Sequence, residues 1–145
     1  MEYSKQGHCV YYARYHIVLS TRYRRKVLKA GMGDYLKKSL RAIGRQYPEI
    51  QILKAETDVD HLHMLVSIPP KMAVSDVIRI IKSNTGTAMR KRFKFLDYVY
   101  FGGGGIWSVG YFVSTAGINE EVIRNYLEMQ GREDRGQAQL ELKGI

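Results

Sequence analysis

Cysteine is nearly absent from this chain of 145 residues: the single Cys9 excludes an internal disulfide and a cysteine-built zinc cluster. Cys9 is expected as a small apolar residue of a first strand. No apolar run approaches the roughly 18–20 residues that cross a bilayer, so no membrane association is expected. The opening residues, Met-Glu-Tyr-Ser-Lys-Gln-Gly-His, lack the apolar centre of a signal peptide. With one reduced cysteine, this points to a cytoplasmic location. Gly102 to Gly105 are not followed by the Lys-Ser/Thr of a phosphate loop and precede a strand rather than a helix. No nucleotide cofactor is therefore expected, and the glycines read as a flexible connection.

Acidic residues are also scarce where bases gather. Between Lys71 and Lys94 only Asp76 offsets Lys71, Arg79, Lys82, Arg90, Lys91, Arg92 and Lys94, and Arg22 to Lys29 holds five bases and no acid. From Asn119 onward acids outnumber bases. A formal charge of +9, segregated in this way, favours a polyanionic partner through phosphate neutralisation and counterion release. Arg22, Arg24, Arg25, Lys26, Lys82, Arg90, Lys91 and Arg92 are the candidate phosphate contacts.

Hydrophobic spacing predicts the elements. Cys9 to Ser20, rich in β-branched and aromatic residues, reads as a strand, followed by a basic turn from Thr21 to Lys26. Apolar residues from Leu28 to Tyr47 recur at three- and four-residue spacing, an amphipathic helix stopped by Pro48. Strands are expected over 50–57 and 61–68, joined by a turn at Asp58-Val59-Asp60. A second helix buries Val77, Ile78, Ile81, Thr85, Ala88 and Met89, with Ser75 as its expected N-cap. Phe95 to Phe101 reads as irregular and Ile106 to Thr115 as a fourth strand. A last helix runs from Glu120 to about Gln130, capped by Asn119 and closed by Gly131. The order βαββαβ specifies an α+β, ferredoxin-like (RRM-like) antiparallel sheet with an added C-terminal helix. Residues 1–131 form one catalytic domain in this reading, and 132–145 a polar, loosely held tail.

The chemistry centres on His61-Leu-His63. On a strand, alternate residues share a face, so two imidazoles stand side by side with backbones about 6–7 Å apart. Two histidines suit a divalent metal and leave coordination positions open. A third ligand could be Gln130 through its carbonyl, or Glu56 or Asp60, although Asp60 is better read as a turn residue or a partner of a histidine. Tyr126 and Gln130 lie one helical turn apart on a single face. A phenol is a weak nucleophile at neutral pH, and a metal polarising a phosphodiester offsets that weakness.

Four ordered stretches carry a family likeness. Tyr15-His-Ile-Val-Leu-Ser-Thr-Arg-Tyr-Arg-Arg-Lys-Val-Leu28, Asp60-His-Leu-His-Met-Leu-Val66, Trp107-Ser-Val-Gly-Tyr-Phe-Val-Ser-Thr-Ala-Gly117 and Asn125-Tyr-Leu-Glu-Met-Gln130 resemble successive motifs of the insertion-sequence-200-like transposases. These are single-tyrosine, single-strand DNA transposases of the HUH superfamily. The resemblance covers about residues 10 to 130. It implies Tyr126 as nucleophile and His61, His63 and Gln130 as ligands of Mg²⁺ or Mn²⁺. It also implies a 5′-phosphotyrosine intermediate, single-stranded DNA with subterminal hairpins as partner, and a homodimer with composite active sites. Two other readings compete: a domesticated relative that cleaves repeated hairpins, and a non-catalytic module stacking bases on Tyr11, Tyr15 and Phe112.

Overall fold

Successive residues of 14–20 and 61–67 face opposite sides of a strand, which gives each segment one face for a core and one for chemistry. In a computed structural model, which describes residues 3–102 and 105–142, β3 (Arg14–Ser20) and β5 (His61–Ser67) pair antiparallel at the centre of a four-stranded sheet. β4 (Gln51–Asp58) and β6 (Phe112–Ser114) form its edges, in the order β4-β5-β3-β6. Ile17, Leu19, Leu62, Met64 and Val66 point to one face. There they pack against α1 (Met32–Gln46) through Leu36, Leu40 and Ile43, and α2 (Val74–Arg92) through Val77, Ile78, Ile81 and Met89. This is the expected ferredoxin-like α+β arrangement.

The opposite face carries His16, Val18 and Ser20 of β3 beside His63 and His61 of β5, because Val18 pairs with His63 and Ser20 with His61. Here α4 (Glu120–Leu142) lies across the sheet. Leu127 and Tyr126 bury Val18 in a second, smaller apolar cluster with Phe112, Ile118 and Ile123 at its margin. Asn119 caps the helix as expected, its Oδ1 accepting the Val122 N–H at 3.0 Å.

Several elements differ from expectation. Cys9–Ser20 is two strands: β2 (Cys9–Tyr11) pairs with β1 (Ser4–Gln6) in a separate hairpin, turned at Gly7 with φ of 55°. Cys9 is exposed there rather than packed. α1 begins at Met32, and Leu28 is buried ahead of it. Ser75 lies inside α2, whose N-cap is Ala73 without a side-chain bond. Phe95–Phe101 contains the short helix α3 (Leu96–Val99).

The expected strand from Ile106 to Thr115 is interrupted. Trp107 bridges Thr21, but pairing resumes only at Phe112. In between, the Lys82 ammonium gathers the carbonyls of Ser108, Val109 and Gly110 at 2.6, 2.9 and 3.1 Å, a curl incompatible with a straight ladder. Finally, Gly131 does not end the last helix. α4 continues to Leu142, because Asp134 finds a buried seat one turn further on and the Gly131 surface accommodates the Arg24 stem. Gly103 and Gly104 of the glycine run lie outside the described residues.

Candidate active site

His61 and His63 line one cavity of about 430 Å³ with Arg24, Glu56, Asp58, Asp60 and the Glu120, Ile123, Arg124 and Leu127 face of α4. The first histidine is held from behind. Asp60 is 8% exposed, and its Oδ1 accepts the His61 Nδ1–H at 2.9 Å while Oδ2 accepts the Arg24 Nε–H at 3.1 Å. A carboxylate only accepts, so it fixes His61 in the Nδ1–H tautomer and leaves the Nε2 lone pair facing the cavity as a possible metal donor. The His61 bond, more than the Arg24 bond, holds the Asp60 carboxyl below its ordinary pKa, against the opposing effect of burial. Asp60 thus takes the supporting role its position suggested.

His63 stands beside His16, which sequence reasoning did not single out. His16 Nδ1 and His63 Nε2 are 3.3 Å apart and the ring centroids 5.5 Å apart. Burial first, and the neighbouring His16 second, lower the His63 pKa and favour the neutral imidazole that a metal requires. Two strand-borne imidazoles, one anchored by a buried carboxylate, fit a divalent ion. Among the described residues, no group of three His, Cys, Asp or Glu side chains could hold one by itself, so a further oxygen donor is needed.

Tyr126 and Gln130 are brought together with each other but not with the histidines. Tyr126 is 6% exposed and packs on Phe112 with ring centroids 5.8 Å apart. Its hydroxyl makes a long 3.5 Å bond to Gln130 Oε1. Burial, and secondarily Asp134 and Glu133, push the phenol above its ordinary pKa. Gln130 Nε2 donates to Asp134 Oδ1 at 3.1 Å, and its carboxamide fits against Gly110, where any side chain would collide with it. Asp134 was also missed. Its signal was its place at i+4 from Gln130 and i+8 from Tyr126, on their stripe of the helix.

The basic candidates separate by environment. Lys26, Lys91 and Arg92 are exposed, Arg92 lying over the rings of Tyr35 and Phe93. Arg22 stacks on Tyr23, Arg24 is paired to Asp60, and Arg25 Nη1 donates to the Val99 carbonyl at 2.7 Å. Arg90 Nη2 donates to the Tyr100 carbonyl at 3.0 Å. Lys82 spends its donors on three backbone carbonyls, a structural role at odds with the expected phosphate contact. A base-stacking sheet is disfavoured too, because Tyr15 packs against the main core and Phe112 lies in the cluster beneath α4.

A central antiparallel sheet carrying paired histidines is faced by a helix carrying a tyrosine and a glutamine. The model of the family "Transposase IS200 like" matches residues 9–130, and the chain belongs to that family of DNA-processing enzymes. It is 32% identical over 140 residues to the transposase for insertion sequence element IS200 of Salmonella typhimurium, covering 94% of this chain and 88% of that one. It is 30% identical over 131 residues to the ISDra2 transposase TnpA of Deinococcus radiodurans, covering 90% and 92%. Among solved structures, a crystal structure described as a transposase of Deinococcus radiodurans R1 superposes with a TM-score of 0.77 at 29% identity, over 88% of this chain and 97% of that one. A REP-associated tyrosine transposase bound to a REP hairpin shares the fold, with a TM-score of 0.52 at 19% identity, over 85% and 68%.

Proposed function

We propose that this transposase cuts and rejoins single-stranded DNA through Tyr126, with Mg²⁺ or Mn²⁺ at His61 and His63 and the Gln130 carbonyl as the added oxygen donor. The observation that carries this reading is the Asp60-anchored His61 beside His63, in a cavity whose far wall is the helix bearing Tyr126. When bound, the metal supplies Lewis-acid polarisation of the scissile phosphodiester. The Tyr126 oxygen bonds to phosphorus as the bond to the 3′ oxygen breaks. The phenolic proton leaves to solvent, the 3′ oxygen takes up a proton, and a 5′-phosphotyrosine results. Attack by another 3′-hydroxyl reverses the exchange and seals a new junction, without ATP.

The seated helix is a resting arrangement in this reading. Ile123 and Leu127 face the histidine cavity while Tyr126 and Gln130 occupy the adjacent stripe, about 60° away around the axis. Delivery requires either rotation of α4 or a helix from a second copy in a homodimer. The composite arrangement is favoured, with His61 and His63 from one chain and Tyr126 and Gln130 from its partner. Gly117, at the exit from β6, has no neighbour within 4 Å of an added Cβ, which leaves this connection room to change direction. Hairpin-bearing DNA is the proposed substrate, as in the REP-associated relative, and the exposed Lys26, Lys91 and Arg92 are the leading phosphate contacts.

The test is covalent capture. Wild-type protein incubated with a hairpin-bearing single-stranded oligonucleotide and Mg²⁺ forms a protein–DNA adduct that maps to Tyr126. Tyr126→Phe forms none and retains binding. An adduct mapped to another tyrosine, or equal cleavage by His61→Ala and His63→Ala, refutes the assignment.

A further inference from the structure

We infer that Asp134 is a positioning residue that links docking of the tyrosine helix to the orientation of His61. The inference rests on the metal-site reading above and extends it to how the site is assembled. Asp134 is 6% exposed and serves three donors. Oδ2 accepts the Tyr23 backbone N–H at 2.8 Å and the Ser108 hydroxyl at 2.6 Å, and Oδ1 accepts the Gln130 amide at 3.1 Å. One carboxylate on α4 therefore holds both the proposed oxygen ligand and the turn that follows β3.

That turn is unusual. Tyr23 and Arg24 are consecutive non-glycine residues with φ of 60° and 55°, a left-handed conformation that the Cβ atom disfavours. Such a conformation persists when its surroundings over-determine it, and capture of the Tyr23 N–H by Asp134 is one such constraint. A second is Gly131, one turn before Asp134 on α4. A Cβ built there lies 3.7 Å from Arg24 Cδ, so the bare helix surface accommodates the arginine stem. Held in this way, Arg24 delivers its Nε–H to Asp60 Oδ2, and Asp60 Oδ1 fixes His61. The path runs from α4 through the Tyr23–Arg24 turn and Asp60 to the His61 imidazole, with a hydrogen bond or a peptide link at each step. When α4 undocks, the turn loses the contact that sustains its left-handed form, Arg24 swings off Asp60, and the Asp60 carboxylate loses the partner that orients it toward His61 Nδ1. A site whose tyrosine helix is unseated thereby holds its metal more weakly.

The experiment uses the full chain and two readouts. Nitrogen-15 imidazole spectra of the metal-free protein, at a pH where His61 is neutral, report its tautomer. Electron paramagnetic resonance titration with Mn²⁺ reports affinity. In wild type the Nδ1–H tautomer dominates. Asp134→Ala is expected to yield mixed tautomers and roughly tenfold weaker Mn²⁺ binding, the low end of what loss of a supporting partner causes. Arg24→Ala should do the same, and the double variant should add nothing further, since both act on one path. Asp134→Asn preserves volume while weakening acceptance from Tyr23, and gives the same direction of change if Asp134→Ala fails to fold. A folded Asp134 variant with wild-type tautomer and Mn²⁺ affinity overturns the coupling, as do losses that multiply in the double variant. Absence of Mn²⁺ binding in wild type would instead refute the metal reading, and the tautomer comparison would still decide the coupling.

Discussion

Replacing Asp60 with Asn separates what the buried carboxylate does for the fold from what it does for the proposed metal site. The Asp60 backbone carbonyl, which accepts both the Thr21 N–H at 3.0 Å and the Thr21 hydroxyl at 3.1 Å, survives the change, so the β4–β5 turn should keep its place. The side-chain losses are the charge assistance in two hydrogen bonds, to His61 and to the partly exposed Arg24. Hydrogen bonds to a charged group are worth about 1.5–3 kcal/mol when one partner is removed. The amide still offers an oxygen, so a total near 1–3 kcal/mol is expected, or roughly 2–12 °C in Tm for a chain of this length. Metal affinity should fall about 10–100-fold, because the His61 tautomer is no longer dictated by an obligate acceptor. The pH dependence has a definite sign. The Asp60 pKa is lowered on folding, so its stabilisation is complete above the unfolded value of 3.8 and is lost as pH falls through the folded one. Urea midpoints of wild type and Asp60→Asn should therefore differ most near neutrality and converge in acid. Thermal melts and Mn²⁺ titrations check both halves. A lowered Tm with unchanged Mn²⁺ affinity would refute the link to the metal site.

Lys82→Met should lower stability by about 1–3 kcal/mol in urea unfolding, because the Ser108–Gly110 carbonyls lose their shared donor. DNA affinity of the folded variant should stay near wild type, and a large affinity loss at full stability would restore Lys82 to the binding surface. Charge removal at Lys91 and Arg92 should do the reverse, weakening hairpin binding and flattening the log–log salt slope by about 1 per lost phosphate contact. Mixing His63→Ala with Tyr126→Phe chains, each inactive alone, should recover cleavage in verified heterodimers. No recovery would mean that each chain uses its own helix.

Much of the frame was legible because it is written locally. The His61–Ser67 alternation and the Val77–Met89 stripe declare their faces within one element, and Asn119 caps the residues directly after it. What escaped depends on partners distant in sequence. The break after Trp107 is made by Lys82 on another element, and of the residues from Ser108 to Tyr111 only Gly110 hints at it. Gly131 read as a stop signal, yet the helix surface it leaves bare is covered by Arg24. Of the site, His61, His63, Tyr126 and Gln130 were visible as residue types at suggestive spacing. His16 was not, because only the pairing of β3 with β5 places it beside His63.

Val18 gives the sheet a fixed ruler. It pairs with His63 on one side and with Phe112 on the other, so three neighbouring strands present imidazole, aliphatic spacer and aromatic ring in one row. Strand separation is about 4.8 Å and is set by the backbone ladder, which puts His63 and Phe112 roughly 10 Å apart whatever side chains they carry. No side-chain substitution on this face can shorten that distance. Under the proposed mechanism, changes in rate must therefore come from the α4 helix and its connection at Gly117, while this spacing stays constant.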